Sequence, residues 1–352
     1  MTITSLARPE IQALTAYEAA AQVADTIRLN ANEAPWTSPA DHFRRPLNRY
    51  PEIRPAALRS ALATRYGCDA ARLLVTRGTS EAIDLLVRAF CRAGLDNIVT
   101  SSPSFSMYRH YAAVQGAQCR EVGTDPDKDF AIDVDALLDA CDGDTRLVFV
   151  CSPNNPTGTL LPRSDLCELL ERRGDSSAIV VDEAYVEFAD TPSAVELLDR
   201  YPNLVVLRTL SKALAFAGAR CGSVIGPPDL IRMLSAVQAP YALATPVVEC
   251  VQDALQTESL DEAERWRETI ISERKRLVAE LGKLDFVHRT WPSAANFFLV
   301  EVEDASAILE YASANKVLLR HFGGQLANCL RITVGAPGEN DRLLDLLRKM
   351  GN

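Results

Sequence analysis

Short β-branched runs alternate along this chain with stretches of helical periodicity. That alternation predicts βαβ units built into a mostly parallel sheet with helices on both faces. Leu73-Leu-Val75 reads as a strand and Arg77-Gly-Thr-Ser80 as the turn that follows it. Residues 81–90 then carry apolar side chains at 82, 83, 85, 86, 87, 89 and 90, the stripe of a core-facing helix. Further strands are predicted at 98–100, 147–151, 178–181, 204–207 and 222–225, most of them running into a polar or glycine-bearing turn. After Gly226-Pro-Pro228 the pattern shifts to long helices, and the charged stretch from Asp261 to Lys283 reads as a solvated helix face. Short strands at 296–300, 317–319 and 330–333 precede a terminal helix near Asp341 to Lys349. The expected fold class is therefore α/β. An irregular arm over 1–45 packs with the small domain, a large domain covers 46–240, and a smaller α+β domain covers 241–352. A ligand is expected where the two domains share an interface.

Composition narrows the class without naming a chemistry. The chain has 352 residues, 47% hydrophobic and 24% charged, which suits about two soluble globular domains and excludes a disordered polymer. A net charge of −10 argues against a broad nucleic-acid-binding face but leaves room for a local basic pocket. The nine cysteines are scattered and never spaced Cys-x-x-Cys. They read as reduced thiols packed as small hydrophobes, with no metal centre or disulfide framework. No run approaches the ~18 apolar residues of a membrane span, and the N-terminus lacks a basic and apolar leader pattern. The expectation is a cytoplasmic protein with neither a membrane nor a nucleic acid as partner.

The turns after the predicted strands collect the reactive residues. Lys212 lies in Thr209-Leu-Ser-Lys-Ala213, with Arg220 eight positions on and Asp182, at the end of a strand, thirty positions before. A lysine in an Ala-rich segment is ordinarily a solvent-facing helix residue, Asp182 alone is a plain turn acid, and Arg220 alone is a surface arginine. Together they suit pyridoxal phosphate: a lysine for the Schiff base, an arginine for the phosphate and a carboxylate for the pyridine nitrogen. Gly78, Thr79 and Ser80 at a helix N-terminus offer amide and hydroxyl donors to the same phosphate, as do Thr209 and Ser211, although Gly-Thr-Ser by itself is an ordinary helix cap. Tyr185 and Asn155 could bond the cofactor's ring oxygen. The Pro153-Asn-Asn-Pro-Thr-Gly158 turn that holds Asn155 is also explicable as turn chemistry alone.

This ordered set resembles the fold-type I pyridoxal phosphate aminotransferases, and among them the histidinol-phosphate aminotransferase family. The likeness spans nearly the whole chain: Leu29-Asn-Ala-Asn-Glu33, Asn48-Arg-Tyr-Pro51, Arg77-Gly-Thr-Ser-Glu-Ala-Ile83, Cys151-Ser-Pro-Asn-Asn-Pro-Thr-Gly158, Val181-Asp-Glu-Ala-Tyr185, Arg208-Thr-Leu-Ser-Lys212 and Cys329-Leu-Arg-Ile-Thr-Val-Gly335. The resemblance implies a large domain with a sheet of the seven-stranded type. It implies that Lys212 is the Schiff-base lysine and proton shuttle, that Asp182 pairs with the ring nitrogen, and that Phe105 stacks on the ring. It further implies a homodimer in which Tyr50 reaches the cofactor phosphate of the neighbouring subunit, with Tyr17 linked to the substrate phosphate. The implied reaction is transamination of histidinol phosphate with 2-oxoglutarate in histidine biosynthesis, and Arg320 and Arg331 are the residues chosen to hold the substrates' anionic groups. On its own merits Arg320 reads equally as a surface arginine, and Tyr50 as a core tyrosine.

The chain departs from the family pattern at three places. Glu18-Ala-Ala-Ala21 follows Tyr17 where Gln-Ser-Ala-Arg is common, Phe105 stands for a frequent tyrosine, and the loop between Arg320 and Arg331 is compact. These departures bear on substrate choice and leave the lysine chemistry intact. An aromatic amino acid aminotransferase and an amino acid phosphate decarboxylase therefore remain alternatives, because both share nearly every motif. A non-catalytic protein that has kept the fold is a third.

Overall fold

The computed structural model describes residues 2–17, 20–22 and 26–350. Its larger sheet contains β1 (Leu73–Thr76), β2 (Asn97–Ser102), β3 (Gln118–Gly123), β4 (Thr145–Cys151), β5 (Ala178–Asp182), β6 (Leu204–Thr209) and β7 (Gly222–Ile225), in the order β1-β7-β6-β5-β4-β2-β3. Neighbours from β6 across to β3 run parallel, and β7 runs antiparallel to both β6 and β1. Six strands, β1 to β6, therefore end at one edge of the sheet, where open α/β sheets bind their ligands.

The central strands read as continuous apolar runs because helices cover both faces. Val148, Val150, Ile179, Val181 and Val206 enter one buried cluster, while the alternate residues Leu147, Phe149, Val180, Val205 and Leu207 enter the opposite one. Edge strand β3 escaped the pattern reading because its six residues are all at least partly exposed and half of them are polar.

The smaller sheet is antiparallel, with β8 (Val287–Thr290), β9 (Phe297–Val302), β10 (Arg320–His321) and β11 (Cys329–Thr333) in the order β10-β11-β9-β8. The strand expected at 317–319 is absent. Val317 N–H instead bonds the Ala312 carbonyl in the turn that closes the helix Ala305–Ala314, Lys316 takes φ 62°, and Leu318 is 85% exposed. From this segment only Arg320 and His321 pair with β11.

Two expected boundaries shift. Residues 241–352 do not divide from the large domain at 240, because Leu243, Val248 and Val251 are buried in the core under the large sheet. The helix Thr257–Leu281 then links the two cores: Leu260 and Ala263 pack on the first, Leu277 and Leu281 lie in the second, and Ile270 touches both. The arm begins on the large domain and not on the small one. Ile3 and Ala7 are buried beside the helices Gly78–Phe90 and Pro228–Val237, and Arg8 N–H bonds the Ala89 carbonyl at 3.0 Å. An apolar pair facing an apolar helix groove decides this placement. Periodicity over so short a segment cannot reveal it.

Candidate active site

The C-terminal ends of β4, β5 and β6 open into a cavity of about 1000 Å³, whose far wall is the β10–β11 loop of the small domain. Asp182 is the last residue of β5 and is 1% exposed. Ala184 N–H donates to its Oδ1 at 3.1 Å and the Tyr108 hydroxyl donates to its Oδ2 at 2.9 Å. Burial pushes this carboxyl up to about 6, and the two hydrogen bonds pull against that rise.

The next residue, Glu183, serves a different purpose. It accepts from Ser193 Oγ and Ala194 N and pairs with buried Arg208, which also holds Glu187 at 2.7 Å. Arg208 belongs to β6, so this buried network ties the turn after β5 to the strand that delivers Lys212. The adjacent acids at 182 and 183 thus divide the labour, one lining the cavity and one fastening its wall.

Lys212 lies three residues beyond β6, with its Nζ 5.5 Å from the centre of the Tyr185 ring. Burial lowers its proton affinity, and the charges of Arg331 and Arg220 lower it further against the pull of Asp182. A lysine so placed carries a larger neutral fraction, the form that attacks a carbonyl. The Tyr185 hydroxyl accepts from Asn155 Nδ2 at 3.2 Å, and Asn155 Oδ1 in turn accepts from Arg331 Nη1 at 2.5 Å. The turn expected around Asn155 therefore does more than reverse the chain, because its amide spans from the phenol to the arginine.

The same cavity holds a cradle suited to an anion. The helix Gly78–Phe90 begins at Gly78 (φ 76°), and Glu81 reaches back to accept the Arg77 N–H at 2.6 Å. The glycine, not the Gly-Thr-Ser hydroxyls, opens the helix, and both Thr79 and Ser80 line the cavity. A methyl on Gly78 would sit 2.8 Å from Arg220 Nη2, and one on Gly222 would sit 2.8 Å from the Gly78 carbonyl carbon. Two glycines thus let β7, the helix start and Arg220 converge. Thr209 Oγ1 donates to Ser211 Oγ at 2.9 Å, and both residues line the same cavity. Helix N–H groups, hydroxyls and a guanidinium form a site for a phosphate-sized dianion.

Arg331 and Arg320 are register partners across β10 and β11. The Arg331 guanidinium lies 5.1 Å from the Phe297 ring and 5.6 Å from the Phe322 ring, and its Nε is buried without a hydrogen-bond partner among the described residues. Arg320 lies 5.4 Å from Phe322 and lines the cavity while remaining exposed.

Every expected cofactor-site residue from 78 to 220 borders the cavity or shapes it, Phe105 included. Tyr50 and Tyr17 do not border it within one chain. Tyr50 is half exposed and stacks on Tyr241 at 4.6 Å, and Tyr17, 59% exposed, lines a separate groove on the arm. Glu18 and Ala19, the start of the departure after Tyr17, lie outside the described residues. Sequence reasoning missed Tyr108 and Phe322. Tyr108 has no signal beyond its place three residues after Phe105, whereas Phe322 could have been noticed two residues after Arg320 in the compact loop.

The sequence pattern of aminotransferase class I and II matches residues 17–348. The chain belongs to that family. Among curated relatives, the histidinol-phosphate aminotransferase of Xylella fastidiosa (strain 9a5c) is 43% identical over 353 residues, covering 99% of this chain and 96% of the relative. A crystal structure of histidinol-phosphate aminotransferase from Sinorhizobium meliloti in complex with pyridoxal-5'-phosphate matches at 26% identity and TM-score 0.77, over 86% of this chain and 84% of that one. The fold alone is shared with L-threonine-O-3-phosphate decarboxylase from Porphyromonas gingivalis, 24% identical with TM-score 0.74 over 86% of this chain and 91% of that one. The fold-type I architecture expected for the chain, a large mostly parallel sheet with a smaller α+β domain, is the one observed.

Proposed function

We propose that this aminotransferase uses pyridoxal 5'-phosphate to transfer the amino group of L-histidinol phosphate to 2-oxoglutarate, yielding imidazole acetol phosphate and glutamate in histidine biosynthesis. The observation that carries the reading is a lysine of lowered proton affinity that shares one cavity with Arg220 and Arg331, in a chain that matches a histidinol-phosphate aminotransferase along nearly its whole length. The residues present fit the cofactor: Gly78, Thr79, Ser80, Thr209, Ser211 and Arg220 would hold its phosphate, with the Gly78 cradle open only because no Cβ fills it. Asp182 would accept the ring N–H, and Tyr185 with Asn155 would bond the ring oxygen. When bound, the cofactor supplies an aldehyde that condenses with amines and a protonated ring that takes up electrons released at the substrate's Cα.

The protein's own groups then manage protons and orientation. The Lys212 amine would remove the proton from the substrate's Cα and hold it for return. The ionised Asp182 carboxylate keeps the ring nitrogen protonated. Arg331, its face sheltered by two phenyl rings and its Nη1 fixed on Asn155, presents its remaining donors to the substrate's anionic group, and Arg320 adds a second charge at the mouth. One pair of arginines serves both the phosphate monoester of the first substrate and a carboxylate of the second.

The same reading includes a homodimer in which Tyr50 completes the cofactor site of the partner, with Tyr17 at the substrate phosphate. The arm supports it with a run of exposed apolar side chains: Ile27 and Leu29 are about nine-tenths exposed and Trp36 three-quarters. A cytoplasmic location accords with nine free cysteines.

The experiment is a half-reaction panel. Purified protein loaded with cofactor should absorb in the visible, and Lys212→Ala should lose that band. Histidinol phosphate should bleach it and 2-oxoglutarate should restore it. Bleaching by phenylalanine or tyrosine but not by histidinol phosphate would reassign the substrate, and carbon dioxide release from threonine phosphate would reassign the reaction.

A further inference from the structure

The Asp182 carboxylate that serves the cofactor's ring nitrogen is itself held from behind, and the geometry points to Tyr108 as the residue that positions it. We propose that the Tyr108 hydroxyl, by donating to Asp182 Oδ2, fixes the orientation of this carboxylate and keeps it ionised for the cofactor. This inference rests on the cofactor assignment made above.

Tyr108 is fully buried in the helix Met107–Gln115, which packs beside β2 and β3. Its ring is clamped, stacked on Phe149 of β4 at 4.8 Å and 16° and meeting Phe105 edge-on at 5.7 Å. A ring held on two sides points its hydroxyl in one direction, and that direction is Asp182, 2.9 Å away. The opposite oxygen is held by the Ala184 N–H, so the carboxylate is restrained at both ends. The titratable groups facing Asp182 are Tyr108 from its helix, Cys151 at the end of β4, Glu183 and Tyr185 from the turn after β5, and Lys212 from beyond β6. Cys151 is buried with its thiol donating to the Pro153 carbonyl, and Glu183 is engaged by Arg208 and Ser193. Tyr108 is therefore the one neutral side-chain donor to Asp182 among the described residues, and it approaches from beneath the cavity floor. It need not touch the cofactor to matter.

A buried carboxylate with two donors stays charged at a lower pH than one with a single donor. Removing the hydroxyl should raise the pH at which Asp182 gains a proton, and so raise the pH below which the apoenzyme loses affinity for pyridoxal 5'-phosphate.

The test is a titration of apoenzyme with pyridoxal 5'-phosphate from pH 5 to 9, followed by absorbance, for wild type and Tyr108→Phe. The substitution keeps the ring and its stacking. The expected result is a midpoint shifted up by about one pH unit and a dissociation constant raised about fivefold at pH 6, with little change at pH 9. The same comparison in an Asp182→Asn background separates positioning from general damage. There the loss of the hydroxyl should leave affinity and pH profile unchanged within about twofold. An unshifted midpoint in the Tyr108→Phe protein, or an equal loss of affinity in both backgrounds, overturns the proposal. Failure of wild type to bind the cofactor at all would overturn the assignment beneath it instead.

Discussion

Replacing Gly78 by alanine probes the phosphate cradle with a single methyl group. At φ 76° an L-residue is strained by roughly 1–2 kcal/mol, so the apoenzyme should lose about 1–3 °C in thermal midpoint. The larger consequence lies elsewhere. The new Cβ would stand 2.8 Å from Arg220 Nη2 and 3.3 Å from its Cζ. An unstrained contact of this kind needs about 3.5 Å, so the guanidinium must retreat by roughly 0.7 Å. It can do so cheaply, because Arg220 is exposed and its only side-chain bond among the described residues is from Nη1 to the Ala217 carbonyl at 3.1 Å. A charge-assisted bond of about 2.8 Å lengthened by that amount is no longer a bond. Its loss is worth roughly 1.5–3 kcal/mol, or about 10- to 150-fold in affinity. The assay is titration of apoenzyme with pyridoxal 5'-phosphate and, separately, with pyridoxal, which lacks the phosphate. Affinity for the phosphorylated form should fall by that factor while affinity for pyridoxal stays within about threefold. Equal losses for both ligands, or unchanged affinity for the first, would refute the reasoning that this glycine exists to seat Arg220 against a phosphate.

Two further outcomes are expected. The Asp182 carboxyl moves from its ordinary 3.8 to about 6 on folding, so the folded chain holds this proton more tightly than the unfolded chain. Its penalty is absent below pH 4, grows as pH rises, and levels above pH 6 at up to about 3 kcal/mol. Apo Asp182→Asn should thus become more stable than apo wild type as pH rises from 4 to 7, although it binds cofactor poorly, and a stability difference that is flat across this range would count against a buried titrating Asp182. If sites are shared between subunits, mixing a Tyr50→Ala protein with a Lys212→Ala protein should restore part of the activity that neither has alone. Subunit exchange verified by mass with no recovery would exclude the shared site.

Much of the cofactor end was legible in the sequence because it depends on local order. A buried strand must be followed by a turn, and the residues of that turn emerge at one edge of the sheet. Asp182 ends one such strand and Asn155 and Lys212 follow two others, which is why their spacing could be read before any contact was known. Arg331 was legible for a related reason, since it stands between Leu330 and Ile332, both buried, and so must project from the other face of β11. Tyr108 was not. It reaches Asp182 from 74 residues away, and nothing in Ser-Phe-Ser-Met-Tyr distinguishes a hydroxyl that ends on a carboxylate from one that ends in water.

The sequence by itself determined which strands are buried on both faces, which turns carry the chemistry and which cofactor that chemistry suits, because hydrophobic periodicity and turn residues act over a few positions. The tertiary structure decided what depends on packing between distant segments. It placed the beginning of the arm on the large domain, carried the large core past Leu243 to the helix Thr257–Leu281, and moved the last edge pairing to Arg320 and His321. It also set Phe322 against Arg331 and Tyr108 under Asp182. These contacts follow from how two sheets and their helices exclude water together, and that global balance has no signature in a local window.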